Sequence, residues 1–342
     1  MRILVIGSNY STESIANCLA SDQENLVFTN QIGTLANSLE YDIEDIESYK
    51  DFALSNEIEL TILCDENAIS LNYTETFEDA GLAIFAPDLE SSKIAISRAN
   101  AKRFLYKNRI QTPKFGIFDK IQPALDWARA QNVPIIVNAD CEKKAFKPTL
   151  CNTFPKAKKA INNLFEQGCK QIVLEVATDN EGKNFTFYVI SDGFNAIPLA
   201  LCAHENNKAF LNPNNVNEKI IEIANNIISS FAANKKNYVG ILGIDFKFDT
   251  RENLWIYDFV PFFKELDADL FSYSIMENKA SLFESALVGS LLDNYHEIEK
   301  SPYSFVTTFE NQHFYCVYGR TLNEAKNRMQ EVLELEAQNC LN

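Results

Sequence analysis

Apolar positions along the first ~95 residues alternate between two periods. Residues 2–6 form a continuous apolar run, which predicts a strand buried on both faces. Gly7-Ser8 leads into a stretch with Ile15, Cys18 and Leu19 on one helical face. The pattern then predicts a strand at 25–29, a helix at 45–54, a strand at 59–63, a helix at 71–80 and a strand at 82–85. Strands and helices alternating over short connections predict a parallel sheet covered on both faces. Ligands of such sheets bind beyond the strand C-termini. Those ends carry Gly7-Ser8-Asn9, Asn30, Cys64-Asp65-Glu66 and Ala86-Pro87.

A basic helix is expected over 97–109, ending before Ile110-Gln111-Thr112-Pro113. Pro123 suits the first turn of another helix, whose apolar set includes Leu125, Trp127 and Ala128. A strand at 133–137, a stretch without clear period at 141–154, a helix at 157–167 and strands at 171–176 and 184–191 complete an α+β block. An amphipathic helix over 218–232 carries the stripe Ile220, Ile221, Ala224, Ile227, Ile228 and Phe231. Strands at 243–248 and 254–259 flank a turn. A helix at 282–292, a strand pair around 304–318 and a helix at 322–335 close the chain.

The 342 residues give room for two or three domains. Hydrophobic content of 46% and charged content of 23% suit a soluble globular protein. The net charge of −16 argues against general nucleic-acid binding, although a few local cations would still allow a nucleotide pocket. No apolar run reaches bilayer length. The N-terminus reads as a buried strand and not a signal peptide, so the expected location is cytoplasmic. Eight cysteines without a CxxC pair, and the dispersed His204, His296 and His313, argue for reduced thiols and no zinc site.

Three stretches carry a family resemblance. MRILVIGS resembles the first strand and G-S-G-G-R-E-H loop of glycinamide ribonucleotide synthetases (phosphoribosylamine–glycine ligases). AGLAIFAPDLESSKIAISRANAKRFLYKNRIQTP resembles that family's segment with G-P, then S-K ten residues later, then F-L and I-P-T. PIIVNAD and GRTLNEAKNRMQEVLEL resemble its P-I-V-V-K-A-D and its C-terminal G-R-V-L helix. The resemblance implies an ATP-grasp protein of α/β and α+β class. It divides the chain into a Rossmann-like N-domain over 1–95, an ATP-grasp core over 96–295 with a small subdomain at about 114–193, and a small C-terminal module over 296–342. It also implies ATP and Mg²⁺ as cofactors, and the joining of glycine to phosphoribosylamine through a glycyl phosphate.

The departures from that pattern fall where phosphate charge must be handled. The S-K lysine corresponds to Arg98 and the V-V-K lysine to Asn138. The glycine-rich loop is replaced by residues 141–148, where Lys143, Lys144 or Lys147 would supply charge from new positions. Such a loop needs glycine so that several N–H groups converge on phosphate; this one has none, and Pro148 has no N–H. The L-E-F-N metal motif corresponds to Tyr257-Asp258-Phe259-Val260, leaving Asp258 as candidate metal ligand. The D-H-K-R segment shrinks to about 203–215, with His204 and Glu205 as matches. By resemblance, nucleotide contacts fall on Arg98, Asn138, Lys147 and the hinge residues Val173, Leu174 and Glu175. Substrate contacts fall on Gly7, Ser8 and Glu66.

Each of these residues also has a plainer reading. Gly7-Ser8 would serve as a tight turn, Arg98 as a solvated cation beside Lys102 and Arg103, and Glu175 and Asp258 as strand-end residues facing water. Three functions stay open: an ATP-dependent carboxylate–amine ligase, a non-catalytic homologue binding a nucleotide, metabolite or protein partner, and a structural subunit beside an active ligase.

Overall fold

The computed structural model describes residues 1–31, 34–64, 66–131, 134–140, 146–178, 184–211, 218–233 and 237–339. Expectations at Asp65, Val133, Lys143, Lys144 and residues 212–215 lie outside the described residues. The chain forms two compact units. Unit 1 comprises residues 1–92, 184–243 and 260–342, and unit 2 comprises 93–183 and 244–259.

The N-terminal part of unit 1 is a parallel sheet with order β3-β2-β1-β4-β5. Its strands are β1 (Arg2–Ile6), β2 (Leu26–Thr29), β3 (Asn37–Ser38), β4 (Leu60–Leu63) and β5 (Ile84–Phe85). Ile3 to Ile6 are fully buried, as expected for a central strand flanked on both sides. Helix α1 (Tyr10–Ala20) starts where Asn9, in extended conformation, accepts the Thr12 N–H at 3.3 Å. Asp45 caps α2 (Ile46–Ser55) in the same way. The single helix expected at 71–80 is preceded by a separate turn, so the region holds α3 (Glu66–Ser70) and α4 (Tyr73–Asp79). Helix α5 (Leu89–Ile96) was not legible, because its apolar residues bunch at its C-terminal end instead of recurring along a face.

Unit 2 opens with α6 (Arg98–Lys107) and continues through β6 (Phe115–Phe118), α7 (Ile121–Ala130), β7 (Ile135–Ala139), β8 (Thr149–Cys151), α8 (Phe154–Glu166) and β9 (Ile172–Val176). Its four strands form an antiparallel sheet of order β6-β9-β7-β8. Helices α7 and α8 cover one face, where Ile135, Val137, Ile172 and Leu174 join Ala124, Ala157 and Ile161 in one core. Side chains alternate across a strand, so Asn138, Val173 and Glu175 point to the opposite face.

The remaining elements are β10 (Asn184–Asp192), β11 (Ala196–Glu205), β12 (Lys208–Leu211), α9 (Glu218–Ala233), β13 (Val239–Phe248), β14 (Leu254–Val260), α10 (Glu265–Ser274), α11 (Lys279–Leu287), α12 (Leu291–Asn294), β15 (Ser304–Glu310), β16 (His313–Gly319) and α13 (Leu322–Asn339). In unit 1 the strand order is β13-β10-β11-β12-β15-β16. From Ile244 onward, β13 forms with β14 the hairpin of unit 2. Strand β11 escaped the sequence pattern because Pro198 argues against a central strand. The structure accommodates it at a bulge, where the register steps from Tyr188↔Ala200 to Val189↔Pro198. The helix expected over 282–292 breaks instead into α11 and α12, because Gly289 turns left-handed at φ +73°.

Helix α10 docks on α1 within unit 1. Ser14 donates to Asp269 at 2.6 Å, Tyr10 donates to its other oxygen at 2.9 Å, and Ser11 donates to the Phe263 carbonyl at 2.9 Å. The Tyr10 ring stacks on Phe314 of β16 at 3.6 Å. Among the described residues no helix is long and apolar enough to cross a membrane.

Candidate functional site

The open face of the four-stranded sheet in unit 2 carries a closed polar cluster. Asn138 on β7 donates its side-chain N–H to Glu175 Oε1 on β9 at 2.9 Å. The other Glu175 oxygen lies 2.6 Å from Lys102 Nζ of α6, an ion pair aligned off the hydrogen-bond direction. Lys102 also donates to Thr112 Oγ1 at 2.9 Å, and Thr112 donates to the Ile256 carbonyl at 2.8 Å. Both ionic side chains are almost fully buried, so each holds the other's charge away from water. Asn138 Oδ1 is buried and has no hydrogen-bond partner, leaving one acceptor available to a donor on a ligand. Lys102 is thus no solvated cation. The sequence signal was its place in the helical stripe Ala99, Lys102, Leu105.

Around this cluster the hairpin supplies Tyr257, whose hydroxyl bonds Thr178 and whose ring has Lys102 Nζ at 5.5 Å and Lys247 Nζ at 5.3 Å from its centroid. Burial pushes the Lys247 ammonium below its usual value. Two residues assigned separate duties by resemblance meet each other: Arg98 Nη1 is 3.4 Å from Asp258 Oδ2. Asp258 Oδ1 accepts the Phe259 N–H at 3.0 Å. Asp140, the aspartate of PIIVNAD, accepts from Ser97 Oγ at 2.9 Å and from the Ala99 N–H at 3.0 Å. Ser97 in turn caps α6. Two of the family-like stretches therefore meet at Asp140, whose bonds to Ser97 and Ala99 fix the start of α6 to the end of β7.

Hinge residues Val173, Leu174 and Glu175 lie mid-strand. Val176 donates to the Lys114 carbonyl and Asp140 to the Gln171 carbonyl. Antiparallel alternation then directs the backbone groups of Leu174 to β6 and those of Val173 and Glu175 to β7. The Leu174 side chain is part of the helix-side core. Lys147 is exposed on the approach to β8.

At the C-terminal ends of the parallel strands, the Gly7 N–H faces Asn30 Oδ1 at 3.4 Å and the Gly7 carbonyl accepts from Gln31 at 2.7 Å. Ser8 Oγ accepts from Asn67 at 2.9 Å, beside Glu66 at the start of α3. The structure brings Gly7, Ser8 and this turn together. Donors there are partly engaged already, because Asn9 holds the Thr12 N–H.

Sequence reasoning missed Asp267. His204 Nε2 lies 2.9 Å from its carboxylate, and Tyr188 donates to it at 2.7 Å. Burial acts to raise the Asp267 pKa, but His204, Lys264 and Tyr188 together hold it below its ordinary value.

Residues 1–95 match the family model of the phosphoribosylglycinamide synthetase N domain. The phosphoribosylamine–glycine ligase of Vibrio parahaemolyticus is 31% identical over 212 residues, 58% of this chain and 49% of that protein. The Escherichia coli ligase is 30% identical over 214 residues, with the same two coverages. The chain is similar to phosphoribosylamine–glycine ligases over these stretches. Its match spans about half the length of those curated relatives. The ligase structure from Thermotoga maritima superposes with a TM-score of 0.79 at 13% identity, covering 98% of this chain and 96% of that one. The Staphylococcus aureus N5-carboxyaminoimidazole synthetase, crystallised with ADP, gives 0.72 at 14% identity and 97% of each chain. These likenesses establish the fold, which is ATP-grasp.

The ATP and Mg²⁺ that the resemblance implies meet unequal support from the residues present. The orphaned Asn138 Oδ1 suits a donor such as an exocyclic amine. The donor set suits a triphosphate poorly: Arg98 faces Asp258 and Lys102 faces Glu175. For magnesium, Asp258 is one carboxylate already facing a guanidinium, and no group of three His, Cys, Asp or Glu gathers among the described residues. The described residues do not fit a resident divalent ion.

Proposed function

We propose that this chain keeps an ATP-grasp scaffold for a nucleotide or small metabolite, while its capacity for ATP-dependent carboxylate–amine ligation is attenuated. The chain then divides at about residues 95 and 295 and works in the cytoplasm. It seats a nucleotide base against the Asn138–Glu175 face, opposite the β13–β14 hairpin. Arg98, Lys147 and the hinge residues 173–175 frame that seat, and Gly7, Ser8 and Glu66 frame the substrate side.

One observation carries the reading. Where the family has a lysine, Asn138 is bound to Glu175, whose charge is balanced from inside by Lys102. Phosphoryl transfer needs cations and N–H donors placed before reaction begins. Losing one such donor typically costs about 10²–10³ in rate. Here position 138 carries no cation and Val260 stands where the resemblance puts a metal ligand, so the field for phosphoryl transfer is weak. The chain's own residues bind and orient: Asn138 offers an acceptor, Tyr257 a ring, and the Lys102–Glu175 pair stiffens the floor.

Isothermal titration with ATP and magnesium, alongside an assay with phosphoribosylamine and glycine, tests both halves. Nucleotide binding with turnover far below ~1 s⁻¹ is the expected outcome. Turnover near that ordinary enzyme rate would overturn the attenuation, and absence of any nucleotide or metabolite binding would overturn the retained seat.

A further inference from the structure

A second surface lies on unit 2, along the outer edge of β6. It is a groove of about 1190 Å³ running from the C-terminal half of α6, past residues 109–114, to Trp255 of β14. Arg103, Lys107, Arg109 and Lys114 line it, and among the described residues no aspartate or glutamate does. That composition stands out in a chain with 47 acidic residues against 31 basic ones. Tyr106, 77% exposed, stands over Phe115 edge-on, with ring centroids 6.3 Å apart.

The floor of the groove is an open strand edge. Among the described residues β6 ends its sheet and pairs only with β9. The bond from the Val176 N–H to the Lys114 carbonyl sets the alternation. Gly116 and Phe118 turn their backbone groups inward to β9, while Phe115 and Ile117 present theirs outward. An unpaired edge of this kind is a template for another strand.

We propose that this groove docks an extended acidic segment of a partner protein, which adds to β6 as a fifth strand. Strand addition uses the alternating N–H and C=O groups of Phe115 and Ile117, a pattern read by another polypeptide backbone and not by a phosphodiester chain. The groove is open and larger than the 300–1000 Å³ usual for small-molecule pockets. The net charge of −16 repels a long phosphate backbone, while four clustered cations attract carboxylates locally. The same cations disfavour pairing of β6 with a second copy of itself, since like charges would face each other. The surface shares Thr112 with the Lys102–Glu175 cluster, but none of its four cations belongs to that cluster, so its role stands whether or not a nucleotide binds.

The test uses the full chain and a fluorescent peptide of about eight residues alternating glutamate and valine, followed by anisotropy. Controls are the lysine–valine counterpart and an oligothymidylate of similar length. Binding of the acidic peptide, weakened about tenfold in the exposed-face variant Arg103→Glu/Lys107→Glu, is the expected result, with binding falling as salt rises. In amide exchange followed by NMR, the Phe115 and Ile117 N–H groups become protected when peptide is added. No binding, binding unchanged by the charge reversal, or protection absent at Phe115 and Ile117 overturns the proposal. Tighter binding of oligothymidylate reassigns the groove to nucleic acid, and a peptide-independent dimer lost in the variant reassigns it to self-association; either result overturns the docking of an acidic segment.

Discussion

At the scale of single residues, the Lys102–Glu175 pair decides how unit 2 tolerates substitution. A buried ion pair is expensive to form but far more expensive to halve, because the survivor keeps its charge without a partner. Lys102→Met is expected to cost about 3–5 kcal/mol of stability. The double variant Lys102→Met/Glu175→Gln keeps an acceptor for the Asn138 N–H and removes both charges together. It should recover most of that loss in urea unfolding. A single variant as stable as the double would show that the pair is solvated and that the cluster is open. The same pair explains why residue identity alone misled: a lysine three residues before Leu105 on a basic helix reads as solvent-facing until Glu175 is placed beneath it.

At the scale of elements, Gly319 lets the last helix reach its strand. A Cβ there would come within 2.6 Å of the Ala325 backbone nitrogen and 2.9 Å of Glu324 Cβ. Ala325 and Met329 of α13 share a small core with Phe210 and Val306. Gly319→Ala is therefore expected to cost about 1–3 kcal/mol through overpacking, seen as early loss of α13 amide protection in hydrogen exchange. Equal protection in the variant and the parent would show that α13 shifts at no cost.

Legibility followed the same physics. The parallel strands β1 and β4 announced themselves as nearly continuous apolar runs, and α9 by its amphipathic period. Strands β6, β8 and β12 are three or four residues long, too short to show a period. Strand β11 contains Pro198, and α10 carries Asp267 and Asp269 on buried positions, so its burial pattern is visible only once Ser14 and His204 are in place. Of the candidate site residues, Asn138, Glu175, Arg98 and Asp258 were nameable by resemblance, and Gly7 and Ser8 by their strand end. Their pairings with Lys102 and with one another were not, since those contacts join residues 37 or more positions apart, or lie across helix and strand.

At the scale of the whole molecule, the acidic excess acts on stability through self-repulsion. With a net charge of −16, raising salt from about 10 to about 150 mM shortens the Debye length from ~30 to ~8 Å and should relieve repulsion among carboxylates. Calorimetry is expected to show Tm rising over that range. A falling Tm would mean that attractive pairs such as Arg98–Asp258 outweigh the net charge.

The docking of α10 on α1 has a consequence during synthesis. Ser14 is made early, and its partner Asp269 lies 255 positions later. At about 5–20 residues per second, a ribosome needs roughly 13–50 seconds to deliver it. For that interval one face of α1 has nothing to lie against. The groups that bond to α10 and the segment before it are the hydroxyls of Tyr10, Ser11 and Ser14 and the thiol of Cys18, while Ile15 and Leu19 belong to the apolar core that includes β1. The hydroxyls of that waiting surface are wetted by water, which confines its apolar part beside them to the Tyr10 ring that later stacks on Phe314 and the Cys18 thiol. The polar character of this internal contact thus protects the chain before it is complete, and it becomes a hydrogen-bonded joint only when the last quarter of the sequence arrives.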